Sequence, residues 1–190
     1  IGVAPAPGRE PLVPSAVLGV LIFVGAEIMM FAGFISAFAI VKAGAMGVWP
    51  PPGQPRLPVE ETAFNTAALL MSGVFAFLAA RAFAREPSRA RTPLLLSIGL
   101  GVFFVVFQGY EWSRLLADGL TLTSSTHGSF FYLIVGAHAL HAVVGLLVLA
   151  AAGLALTRGR LDAESFSAVR VFWYFVVALW PVLYVQVYLA

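Results

Sequence analysis

The feature that most constrains this chain is a series of long apolar runs, the first extending from Ser15 to Val41. A transmembrane α-helix needs about 20 such residues. This run exceeds that length and holds one ionisable side chain, Glu27, near its middle. A charge at the bilayer centre costs about 2.5–3.5 kcal/mol on insertion scales, so Glu27 requires a partner, a proton or a use.

Four more apolar runs follow. Overall 61% of the 190 residues are hydrophobic and 11% charged, with a mean hydropathy of +0.94. Soluble domains carry roughly a quarter charged residues, and a soluble fold cannot hide this much apolar surface. A membrane β-barrel would alternate within segments of about ten residues, whereas these runs are continuous. The expected fold class is therefore all-α: a polytopic membrane bundle of five transmembrane helices. The absence of cysteine excludes disulfides and thiolate metal sites. The net charge of +2 and pI near 9.3 reflect basic residues flanking the spans, not a nucleic-acid partner.

Proline-rich Ile1–Pro14 reads as an extended lead-in, and 15–190 as a single membrane domain. Its helices are expected over about 15–42, 62–83, 93–116, 127–157 and 166–189. Trp49 and the prolines at 50, 51, 52, 55 and 58 predict a stiff interfacial loop. The hydroxyls of Thr121–Thr126 can cap the fourth helix, with His127 as a surface or capping residue. Arg9, Arg81, Arg85, Arg89, Arg91, Arg158, Arg160 and Arg170 fall on one side, against Lys42, Arg56 and Arg114 on the other. The positive-inside rule then puts the N-terminus inside and the C-terminus outside.

Depth along the helices, at about 1.5 Å per residue, places Glu27 near the same level as His138 and His141. These histidines are three residues apart on one helix face. Glu111 and Gln108 lie toward the outer half of the third helix. A buried cluster of Glu27, His138, His141 and Glu111 is therefore expected. Burial disfavours the charged form of a carboxyl, so Glu27 should be protonated or hydrogen-bonded to imidazole. His138 and His141, set among Gly136, Ala137, Ala139, Ala142 and Gly145, read in the first place as packing hydrogen bonds between close helices. Asn65, Gln108 and Tyr184 are candidate helix-packing polar groups. Two histidines on one helix face cannot clamp a haem, and paired Glu-x-x-His motifs for a di-iron site do not occur. No cofactor or metal site is expected in this chain.

Several motifs in order resemble subunit III of the haem-copper cytochrome c and quinol oxidases. They are the Glu27 segment, Trp49-Pro50-Pro51-Pro52-Gly53, and Asn65-Thr66 before Leu69-Leu70-Met71-Ser72-Gly73. Gln108-Gly109-Tyr110-Glu111-Trp112, Gly128-Ser129-Phe130-Phe131, Gly136-Ala137-His138-Ala139-Leu140-His141 and Trp180 with Leu183-Tyr184 continue the series. The resemblance spans about Val17 to Tyr188 and points to a short five-helix form. Seven-helix members carry two more helices that form one arm of a lipid-holding cleft. Trp173-Tyr174-Phe175-Val176-Val177 stands where typical members have Trp-His-Phe-Val-Asp.

The resemblance implies a non-redox accessory subunit of a terminal oxidase in aerobic electron transport. Such a subunit packs against catalytic subunit I and other oxidase subunits, supports proton uptake, and shapes lipid and oxygen access. Haems and copper belong to the partner subunits, and bound phospholipid is expected. The family's helix carboxylate reacts with carbodiimides, which favour protonated buried carboxyls. Other readings are an accessory subunit of a nitric oxide reductase, a component of a larger respiratory supercomplex, and a small proton-coupled transporter. Transporters commonly show internal repeats and broken spans, which this sequence lacks. The preponderance of Arg over Lys, with much Ala and Gly, suggests a bacterial inner membrane.

Overall fold

The structure, a computed structural model, describes residues 14–45 and 49–189. The lead-in expected before Pro14 lies outside the described residues. Five helices follow: α1 Ser15–Gly44, α2 Val59–Phe83, α3 Arg91–Ala117, α4 Thr126–Thr157 and α5 Ala163–Tyr184. Each is long and apolar enough to cross a membrane, and no strand occurs among the described residues.

Local chemistry sets the boundaries. α2 begins at Val59 with Glu60 and Glu61 in its first turn, where carboxylates complement the unsatisfied N–H groups of a helix start. The Ser125 hydroxyl accepts from the Gly128 N–H at 3.0 Å and caps α4. Asp162 accepts from the Ser165 N–H at 2.8 Å and caps α5. Pro181 removes one donor from the α5 ladder. A π-helical turn over Val185–Leu189 continues the chain and buries Val187 and Tyr188.

The tightest seam joins α2 to α3. The buried stripe of α2 is Thr62, Asn65, Thr66, Leu69, Ser72, Ala76 and Ala79, spaced by three or four residues as one helix face requires. It meets Leu94, Ser97, Gly101, Phe104, Gln108, Glu111 and Leu115 of α3. Small and hydroxylated side chains let two backbones approach closely without lipid between them. At Gly101 a β-carbon would lie 2.9 Å from Leu146 and 3.0 Å from the Trp173 ring, so only glycine fits without a shift.

α5 packs against α1, α2 and α4 and brings Trp173 and Trp180, both fully buried, into the core. α1 touches only α5 and α4 to any extent, and its buried residues are Phe31 and Phe38. The Trp49 ring closes over Phe38 at 5.5 Å and over His127 at 5.2 Å. His127, expected as a surface or capping residue, is therefore buried at 2% exposure, and Ser125 supplies the cap. The loop folds back onto the start of α4 and covers it, helped by hydrogen bonds from Ser124 and Ser125 to Gln54.

Candidate functional site

The buried polar groups form two centres rather than the single cluster expected from depth. At the first, α1 and α4 bring Glu27 Oε2 within 3.0 Å of His141 Nε2, with side-chain exposures of 15% and 12%. His141 Nδ1 lies 2.7 Å from the Ala137 carbonyl. A carbonyl only accepts, so Nδ1 carries the proton. Nε2 is left facing the carboxyl, and two lone pairs at that separation would repel. One proton therefore belongs between them. Acid with neutral imidazole and carboxylate with imidazolium both satisfy that count, and the pair is neutral either way. The contact is not in line with a ring N–H, and Oε2 has no aligned hydrogen bond. Phe31, Phe175 and Phe172 surround His141, with ring centres 5.5, 6.1 and 6.3 Å away. An apolar cavity of 500 Å³ opens beside His141 between α1, α4 and α5, lined by Gly19, Val20, Phe23, Leu140, Val144 and Phe172.

The second centre lies at the other side of the bundle, where α2, α3 and the end of α5 converge. Thr62 Oγ1 is 3.2 and 3.1 Å from the two Glu111 oxygens and 2.7 Å from the Pro58 carbonyl. A hydroxyl has one proton. When it goes to the short Pro58 bond, Thr62 is free to accept from a protonated Glu111. Asn65 Nδ2 donates to the Phe104 carbonyl at 3.2 Å and reaches Gln108 Oε1 at 3.5 Å. Gln108 Nε2 donates to the Tyr188 hydroxyl at 3.4 Å, and the Tyr184 hydroxyl donates to the Val59 carbonyl at 3.0 Å. A small cleft of 110 Å³ at this end is lined by Glu111, Glu61, Asp118, Arg56 and Arg114.

His138 belongs to neither acid. It is 1% exposed, stacked on Trp180 with ring centres 4.9 Å apart and set edge-on to Phe104. Between His138 and the far loop runs a lattice of hydroxyls and indoles. Trp180 Nε1 donates to Thr66 Oγ1 at 2.8 Å, and Trp173 Nε1 donates to Ser72 Oγ at 3.1 Å. The Ser72 and Ser97 hydroxyls each donate to the other's carbonyl, at 2.7 and 2.8 Å. Among the described residues no three His, Asp or Glu side chains converge to hold a metal ion.

The structure thus joins Glu27 to His141, Glu111 to Thr62, and Asn65 to Gln108 and Tyr188. His138 stands apart from both acids. Residues that the sequence reading passed over are Thr62, Tyr188 and Ser97, the partner of Ser72. The repeat of polar residues at 62, 65, 66 and 72 was the available signal.

The model of the family described as cytochrome c oxidase subunit III matches residues 12–190. The chain belongs to that family. A probable cytochrome c oxidase subunit 3 of Mycobacterium leprae (strain TN) is 30% identical over 178 residues, covering 90% of this chain and 86% of that protein. The corresponding protein of Nocardia farcinica (strain IFM 10152) is 31% identical over 182 residues, with the same coverage. Cytochrome c oxidase subunit 3 of Gadus morhua is 33% identical over 179 residues and is covered to 67% of its length. Family and spans together make this a multi-pass membrane protein of the respiratory chain.

Proposed function

We propose that this chain is the accessory subunit III of a respiratory haem-copper terminal oxidase. It holds no redox centre, packs against catalytic subunit I, and stabilises that subunit while supporting proton uptake and the access of lipid and oxygen. The haems and copper reside in the partner subunits. The observation that carries the reading is the family match along nearly the whole chain, residues 12–190. The setting is a bacterial cytoplasmic membrane, N-terminus inside and C-terminus outside, as the basic loops favour.

Two features of the fold support the finer roles. The Glu27–His141 pair is set in an apolar surround, where a proton can pass between carboxyl and imidazole while the pair stays neutral. The 500 Å³ cavity beside it has the apolar lining that an acyl chain requires.

Purification of a tagged copy in mild detergent tests the assignment. Co-purifying subunits with a haem spectrum are expected. Recovery of the chain alone, stable and free of haem, overturns it.

A further inference from the structure

The side of α2 and α3 turned away from the bundle carries two adjoining hollows, of 520 and 420 Å³. Val102, Phe103, Val106 and Tyr110 line the first, and Phe64, Met71 and Phe103 the second. Phe64 stands edge-on to Phe103 at 6.1 Å and meets Phe107 at 6.4 Å, so aromatic rings wall the groove. From Gly99 to Tyr110 it runs about 16 Å at a rise of about 1.5 Å per residue. That is close to half of a hydrocarbon core about 30 Å thick, the depth of one leaflet.

The groove does not end in lipid. Phe107 and Tyr110 also line the charged cleft of 110 Å³ at the C-terminal end of α3. Arg56 and Arg114 bring two guanidinium groups to this cleft, and Glu61 and Asp118 bring two carboxylates. All four are exposed, and none makes an ion pair among the described residues. Glu111, also in the lining, is engaged by Thr62.

An occupant of the whole site therefore needs an apolar chain one leaflet long, an anion for the arginines and a cation for the acids. Guanidinium groups match phosphate oxygens, and a primary ammonium has three N–H donors for carboxylates. An anionic headgroup without an ammonium would set its charge against Glu61 and Asp118. A quaternary ammonium has no N–H to give them.

We propose that groove and cleft together bind a phospholipid whose zwitterionic headgroup carries a primary ammonium, as phosphatidylethanolamine does. One acyl chain lies along Phe103 and Val106, with the phosphate toward Arg56 and Arg114 and the ammonium toward Glu61 and Asp118. Tyr110 stands where chain gives way to headgroup, the level that interfacial tyrosines favour. The site is separate from the cavity beside His141. It rests on the membrane spans alone, not on the oxidase assignment.

Photocrosslinking locates the lipid. Phosphatidylethanolamine with a diazirine in one acyl chain is reconstituted with the purified complex in nanodiscs, and the labelled residues are mapped by mass spectrometry. Labelling should concentrate on Phe64, Phe103 and Val106, well above that of Met29, which is 73% exposed on α1. Unlabelled phosphatidylethanolamine should compete for the groove better than phosphatidylglycerol or phosphatidylcholine. Arg56→Gln with Arg114→Gln should lower groove labelling about two- to fivefold, the range of exposed ion pairs, and leave Met29 unchanged. Glu61→Gln with Asp118→Asn should bring phosphatidylglycerol level with phosphatidylethanolamine. Groove labelling no stronger than at Met29, equal competition by all three lipids, or no effect of the arginine variant means annular lipid only and overturns the proposal. A helix of another subunit seated on Phe64 and Phe103 in a map of the complex overturns it as well. Labelling the chain purified alone repeats the comparison without haem, which keeps this result separate from the fate of the oxidase assignment.

Discussion

The two sides of this bundle are held by different means. α2, α3 and α5 are laced together by side-chain hydrogen bonds at several depths: Thr62 to Glu111, Trp180 to Thr66, Trp173 to Ser72, and Ser72 with Ser97. α1 has no such lacing within its span. Only 6% of its most apolar window is buried, against 39% for α2 and α5. It is held by aromatic contacts, chiefly of Phe31 and Phe38, and by one proton-sharing pair, Glu27 with His141. In lipid there is no hydrophobic drive between helices, so close packing and interhelical hydrogen bonds decide association. The laced side is the more buried and more hydrogen-bonded. The α1 side is a thinly packed flank whose polar anchor within the span, Glu27, lies beside a cavity.

That contrast is most easily broken at its anchor. Glu27→Lys puts a cation against His141 and leaves it unpaired, at a cost of about 2.5–3.5 kcal/mol at the bilayer centre. Loss of the subunit from the purified complex is the expected result. Glu27→Gln keeps an amide N–H that can donate to Nε2 and should retain assembly; equal recovery of both variants would remove the anchor from the account. Carbodiimide labelling sharpens the same point. His141→Leu should raise the labelling rate of Glu27, because the carboxyl then has no base with which to share its proton. His138→Leu should leave the rate unchanged, and a matching change in both would put the two histidines back into one cluster.

A single added methyl group compares the sides directly. At Gly101 the new β-carbon would sit 2.9 Å from Leu146 and 3.0 Å from Trp173, and overpacking of this kind costs about 1–3 kcal/mol. At Gly25 on α1 it would meet nothing within 4 Å, while alanine gains up to about 1 kcal/mol of helix propensity. Gly101→Ala should therefore lower the unfolding temperature and Gly25→Ala should hold or raise it. Opposite results would mean that the α1 flank is the tighter one.

Much of the scaffold was legible in the sequence. Run length supplied five spans, and Asn65, Thr66 and Ser72 were legible as polar packing points of the second helix, which the structure places on one buried face. The pairing of the acids was not legible. His138 and His141 are three residues apart, about 300° around the helix at 100° per residue, so their side chains diverge by about 60°. That is enough for one to meet α1 and the other to stack on α5. Thr62 looked like part of a helix start because its partner, Glu111, is 49 residues away. His127 looked exposed because the Trp49 ring that covers it arrives from another loop. Each miss is a long-range contact that local periodicity does not encode.

The smallest expected effect falls where the flank meets the loop. Asp162 lies outside the spans, and hydrogen bonds from Ser165, the backbone N–H first, hold its carboxyl below the usual carboxylate range. A depressed value means that its contribution is complete above the ordinary carboxyl value of about 4 and is lost as pH falls through the folded value. The Ser125 cap of α4 does not titrate. Between about pH 5 and pH 3, hydrogen-exchange protection of the Ser165 amide should fall while that of Gly128 does not, and Asp162→Asn should flatten the difference. The consequence reaches α1, because its Ala16 N–H donates to Glu164 at 3.0 Å, in the first turn of the helix that Asp162 starts. Protection at Ala16 should decline with that of Ser165. A flat Ser165 profile would show that the cap contributes nothing, and an Ala16 amide indifferent to acid would show that α1 does not depend on the start of α5 for its hold at this end.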